Sequence, residues 1–85
     1  MAKVEIYTKA TCGFCRRAKM LLDMKKIAYE EYGVDFGGPK KAEMLQRAGG
    51  RTTVPQIFID GKHVGGCDDL MNLEYAGKLD GLLAA

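Results

Sequence analysis

No run of apolar residues in this chain approaches the length that crosses a bilayer, and its opening residues, Met1-Ala2-Lys3-Val4-Glu5, turn charged where a secretory signal turns apolar. Both absences lead us to expect a soluble cytoplasmic protein. An excess of one charge is missing as well: the net charge is +2, and the basic residues are scattered instead of forming a stripe interleaved with aromatics. That excludes the electrostatic footprint of a nucleic-acid binder. There is no internal repeat and no low-complexity stretch, so 85 residues at 47% hydrophobic and 28% charged are expected to build one small core. Tryptophan is absent and histidine occurs once. Cysteine is sparse: three residues, an odd set that in a reducing compartment points to catalysis or metal binding and away from a disulfide framework.

Two of those cysteines form Cys12-Gly13-Phe14-Cys15, placed where the β-rich run Val4-Glu5-Ile6-Tyr7 gives way to a helical pattern. A backbone turning from strand into helix at Thr11-Cys12 leaves unpaired N–H groups and the positive end of a helix dipole beside the Cys12 sulfur, which favours thiolate over thiol. Cys12 is therefore the expected nucleophile. Cys15 follows one helical turn later on roughly the same face, near enough to close a disulfide with Cys12 but more recessed. The layout is that of a reversible dithiol/disulfide site.

Ala18, Leu21, Leu22 and Lys25 recur at helical spacing after the cysteines, with Arg16, Arg17, Lys19 and Asp23 left for solvent. The aromatic run Ile27 to Tyr32 predicts a second strand, parallel to the first because a helix separates them. Gly37-Gly38-Pro39 breaks the chain, and Pro39 suits the first turn of a second helix with Ala42, Leu45 and Ala48 toward the core, ending at Gly49-Gly50. Pro55-Gln56-Ile57-Phe58-Ile59, Asp60-Gly61 and Lys62-His63-Val64 read as a tight β-hairpin. Gly65-Gly66-Cys67-Asp68-Asp69 leads into a third helix, and a short helical segment follows Gly77. The expected order is β-α-β-α-β-β-α.

That order, the Cys-x-x-Cys at the first strand-to-helix junction, Thr53-Val54-Pro55 before the third strand and Gly65-Gly66-Cys67-Asp68 after the fourth together resemble the glutaredoxin family over nearly the whole chain. The resemblance implies an α/β thioredoxin-like fold, a four-stranded mixed sheet flanked by helices, with residues 1–85 as a single glutaredoxin domain. It implies a glutathione-dependent oxidoreductase that reduces protein disulfides and glutathione mixed disulfides through Cys12 and Cys15. Lys9, three residues before the nucleophile, stands where the family meets a carboxylate of glutathione. Val54, before a cis Pro55 and next to Thr53, would pair its backbone with the cysteinyl part of glutathione. Gly66 would permit close approach, and the helix start at Cys67, Asp68 and Asp69 would offer N–H groups to the γ-glutamyl carboxylate while an Asp meets the ammonium.

Departures from the family pattern carry information. Common dithiol members have Pro-Tyr between the cysteines, and this chain has Gly13-Phe14, so Phe14 brings a ring to the site without a hydroxyl. Gly-Phe is what the monothiol iron-sulfur branch carries, which raises an alternative: a dimer holding a [2Fe-2S] cluster through each Cys12 and two glutathiones, acting in iron-sulfur transfer or sensing. Cys67 is read as a small buried or half-buried side chain near the site, with a regulatory thiol as the other reading. His63 is read as a packed or surface residue and Tyr7 as core. Two rivals come from other classes. A zinc module on Cys12, Cys15, His63 and Cys67 suffers from nearly fifty residues between its halves, and a thioredoxin-type protein is disfavoured by the missing tryptophan beside the first cysteine. No resident metal and no membrane or nucleic-acid partner is expected.

Overall fold

The computed structural model describes residues 2–84. Eight elements follow in order: β1 (Val4–Thr8), α1 (Gly13–Met24), β2 (Glu30–Gly33), α2 (Pro39–Arg47), β3 (Gln56–Ile59), β4 (Lys62–Gly65), α3 (Cys67–Tyr75) and α4 (Leu79–Ala84). The sheet runs β2-β1-β3-β4, with β1 parallel to β2 and antiparallel to β3, and β3 antiparallel to β4. This is the mixed four-stranded sheet of a thioredoxin-like fold.

β1 is central and buried along its whole length, so alternate side chains feed two different cores. Val4 and Ile6 join Ile57, Ile59, Ala18, Leu22, Leu70, Leu79 and Leu83 under α1, α3 and α4. Tyr7 and Phe58 point the other way, onto Val34, Met44 and Ala48 under α2. A half-buried polar cluster completes that second face: Arg47 reaches from α2 to Glu5 on β1, with Nη2 donating to Oε1 at 2.9 Å and Nη1 to Oε2 at 3.1 Å. The same Nη1 donates to the Tyr7 hydroxyl at 2.8 Å, and that hydroxyl donates to the Glu43 carboxylate.

Two elements differ from expectation. β2 begins at Glu30 and not at Ile27, because the Ile27 N–H is taken by the Leu22 carbonyl at 3.0 Å in closing α1, with Lys26 in the left-handed region at φ 58°. Ile27 and Tyr29 still pack on the core, but from a loop. In α2 the fully buried residue is Met44, with Ala48 beside it at the helix end, while Ala42 is exposed. The hairpin turn is as the sequence reads: Asp60 and Gly61 both take positive φ, and Asp60 is tied to Lys3 by paired hydrogen bonds of 2.8 and 2.9 Å. Among the described residues no helix is long and apolar enough to cross a membrane.

Candidate active site

Cys12 is the N-cap of α1, with extended backbone at φ −93° and ψ 112°. In that position its Sγ accepts the Cys15 backbone N–H at 3.1 Å, as a capping side-chain oxygen would. The first turn of α1 holds no acidic residue. On its other side Sγ lies 3.6 Å from the Val54 carbonyl oxygen, to which the thiol donates. The Val54-Pro55 bond is cis.

The two cysteines are not equivalent. Cys12 is partly exposed, whereas Cys15 is 1% exposed and packed beneath it. Burial, reinforced by the hydrogen bond with Cys12, pushes the Cys15 thiol up to about 12, so it remains a thiol at neutral pH. One sulfur is therefore presented and the other held back.

Beside Cys12 opens a cleft of about 430 Å³ lined by Phe14, Arg51, Thr53, Val54, Pro55, Gly66, Cys67, Asp68 and Asp69. Every residue that the resemblance assigned to glutathione is brought together here except Lys9, which is exposed before α1 and does not line the cleft. The loop Gly65-Gly66 forms one rim. Gly65 has φ +122°, and a Cβ there would run into the Asp69 carboxylate, so only glycine fits. At Gly66 an added Cβ would stand 3.4 Å from the Pro55 carbonyl oxygen, closing the gap between the two loops.

The paired aspartates have separate tasks. Asp69 turns inward: its Oδ2 accepts the Gly66 N–H at 2.9 Å, capping α3, and faces Arg51 Nη1 at 3.5 Å. Asp68 is exposed and makes no salt bridge among the described residues. Cys67, first residue of α3, is 5% exposed, and burial pushes its thiol up. His63 is turned to other work: its Nε2 lies 2.7 Å from Gln56 Oε1, and its ring stacks on Phe58 with centroids 4.9 Å apart. Burial lowers its pKa, followed by the charge of Arg51. Among the described residues no three His, Cys, Asp or Glu side chains stand together as metal ligands.

Arg51 was not anticipated from the sequence. It lies in the loop that leads to Val54, two residues before Thr53, and both residues line the cleft. That two-residue spacing back from Thr53 was the only signal available. Without the position of α3, a cation in a loop reads as a solvated charge.

A sequence model of the glutaredoxin family matches residues 4–64. The chain is 57% identical over 83 residues to glutaredoxin 3 of Escherichia coli strain K12, spanning 98% of this chain and 99% of that protein. Among solved structures, buckwheat glutaredoxin in complex with glutathione superposes with a TM-score of 0.87 at 36% identity, covering 98% of this chain and 77% of that one. The holo form of glutaredoxin C1 from Populus tremula x tremuloides superposes with a TM-score of 0.84 at 34% identity, covering 95% and 82%. With the family model matched over most of the chain, a relative more than half identical along its full length and the four-stranded mixed sheet in agreement with solved glutaredoxins, the chain belongs to the glutaredoxin family and is a glutathione-dependent thiol-disulfide oxidoreductase.

Proposed function

We propose that the cleft is the glutathione site of this chain and that Cys12 attacks while Cys15 resolves. The observation that carries this reading is the unequal presentation of the two sulfurs at the head of the cleft. Glutathione laid along it would set its cysteinyl backbone against Val54, its γ-glutamyl carboxylate at the N–H groups that open α3, and its ammonium against Asp68, the aspartate without an internal partner. Arg51, whose guanidinium lies beside Asp69, takes the remaining carboxylate, helped from outside the cleft by Lys9. Phe14, 58% exposed, and Thr53 complete the walls.

On a glutathionylated thiol, the Cys12 thiolate attacks the glutathione sulfur. A Cys12-glutathione bond forms, the substrate's own disulfide breaks, and the substrate leaves as a thiolate that takes up a proton. A second glutathione thiolate then attacks that bond, releasing oxidised glutathione and the Cys12 thiolate. On a protein disulfide, Cys12 forms a mixed disulfide with one substrate sulfur. Cys15 gives up its proton and attacks Cys12, freeing the substrate dithiol, and the Cys12-Cys15 disulfide takes its two electrons back from two glutathiones. Such a cycle needs a compartment where glutathione is kept reduced, and we assign the chain, as one domain over residues 1–85, to the cytoplasm.

The test uses glutathione, glutathione reductase and NADPH on a small glutathionylated substrate and on a protein disulfide. Cys12→Ser should abolish both activities. Cys15→Ser should lose most protein-disulfide reduction and keep deglutathionylation, which needs only Cys12. Equal inactivity of both variants on the glutathionylated substrate would overturn the reading.

A second reading, cluster binding, is favoured by the open flank of Cys12. An ideal Cβ on Gly13 meets nothing within 4 Å, Phe14 stands out from the surface, and a relative of the same fold is known in a holo form. Cys12 and a glutathione in the cleft are the groups that would hold a [2Fe-2S] cluster shared with a second copy, and such a cluster would supply iron-sulfur transfer or sensing. Anaerobic reconstitution with iron, sulfide and glutathione should then yield a coloured dimer, weakened in Gly13→Pro. A colourless monomer would dispose of it.

A further inference from the structure

A second groove starts at the same helix end and runs away from the glutathione cleft. Gly13, Arg16, Arg17, Met20, Leu21 and Met24 line it from α1, with Met71 of α3 opposite, around a volume of about 450 Å³. Two features give this surface its chemistry. Met20 and Met24 are 57% and 78% exposed, one turn apart on the same helix face. Among the described residues neither Arg16 nor Arg17 has a carboxylate within 4 Å, so both guanidinium charges on this face are unneutralised. Adaptable apolar side chains beside unneutralised guanidinium groups make a surface complementary to apolar and acidic side chains together.

Its position says what would lie there. Gly13 follows the nucleophile directly, and Met71 stands one helical turn beyond Cys67, which lines the glutathione cleft, so the two grooves share the α1 and α3 starts and diverge from Cys12. From Gly13 to Met24 the helix rises roughly 16 Å, the reach of about five extended residues. We propose that this groove receives the polypeptide flanking the substrate's reactive cysteine, an extended segment with acidic and apolar residues, while glutathione occupies the other side. The inference rests on the assignment of the cleft and of Cys12 made above. The groove then ranks substrate proteins, and the cleft recognises what they share.

The test compares three peptides glutathionylated at a central cysteine, flanked by Gly/Ser, by alternating Glu and Leu, or by alternating Lys and Leu. The mixed disulfide of glutathione with 2-mercaptoethanol serves as the substrate that cannot reach the groove. Wild type should turn over the Glu/Leu peptide with a kcat/KM about tenfold above Gly/Ser and further above Lys/Leu. Arg17→Glu should reverse the order of the two charged peptides, and Met20→Ser combined with Met24→Ser should shrink the Glu/Leu advantage to less than about threefold. None of these variants should alter turnover of the small mixed disulfide. Equal kcat/KM for all three peptides with the small substrate still active would overturn the docking groove alone, whereas an inactive small substrate would overturn the function it rests on. A concentration-dependent dimer in sedimentation that Met20→Ser and Met24→Ser dissolve would overturn it too, by assigning the groove to a second copy.

Discussion

Cys15 shows how burial, with a neighbouring sulfur, can set chemistry. Its thiol, pushed up to about 12, stays protonated near neutrality and acts only when the Cys12 sulfur beside it becomes an electrophile. In the Cys12→Ser, Cys67→Ser protein, alkylation of Cys15 by iodoacetamide should be slow and climb about tenfold per pH unit through pH 10. A rate that levels off between pH 8 and 9 would show an ordinary, accessible thiol. Asp69 offers a second test at this scale. As the cap of α3 it should cost about 1 kcal/mol when replaced by Ala, read from urea unfolding. Asp68→Ala, without a cap to lose, should leave stability unchanged and raise the KM for glutathione.

At the scale of elements, α2 is held to β1 by the two-pronged Arg47-Glu5 pair, with the guanidinium also 4.1 Å from the Phe58 ring centroid. Arg47 holds the Glu5 carboxyl below the usual carboxylate range, against the opposing pull of burial. Because the folded-state pKa is depressed, the stabilisation is present above the unfolded value of about 4.3 and fades as pH falls through the folded one. Arg47→Met should therefore cost about 3 kcal/mol at pH 7, where it strands a buried carboxylate, and much less at acid pH below the depressed folded pKa of Glu5. Urea unfolding at the two pH values checks it. An equal loss at both would mean the arginine acts by packing alone.

What could be read from the chain divides along the same line. The Cys-x-x-Cys at a strand-helix junction and the Asp60-Gly61 hairpin were legible because each is written in a few consecutive residues. The start of β2 was not, because Ile27 and Tyr29 look like strand residues while the Ile27 N–H is already spent on α1. The inward face of α2 was ambiguous from spacing alone, and the reach of Arg47 toward Glu5 across 42 residues helps orient it. Arg51 belongs to the same class: its partner Asp69 arrives from α3, on the far side of the hairpin.

Over the whole molecule, the last helices matter more than their length suggests. Leu79 and Leu83 of α4 are buried in the core that α1 and α3 share, and Lys25 at the end of α1 meets both Glu74 and Asp80. A domain this small holds on the order of 5 to 10 kcal/mol of stability. Leu79→Ala should remove about 3 kcal/mol of it, seen as a lower urea midpoint with unchanged slope. A chain ending at Gly77 should lose its cooperative transition altogether, and retention of a sharp one would show that the sheet and first three helices suffice.

Gly65 has a consequence for anyone who would re-engineer this site. The missing methyl group lets the cap of α3 and the rim of the cleft occupy the same few ångströms, so selection for altered ligand preference and selection for a folded chain meet at one position. Directed evolution should find that position silent, every substitution there purged before its effect on recognition is seen. Arg51 lines the same cleft, is half exposed and touches Asp69 only at its tip, so changes there leave the two pressures separable. New specificities should accumulate there first.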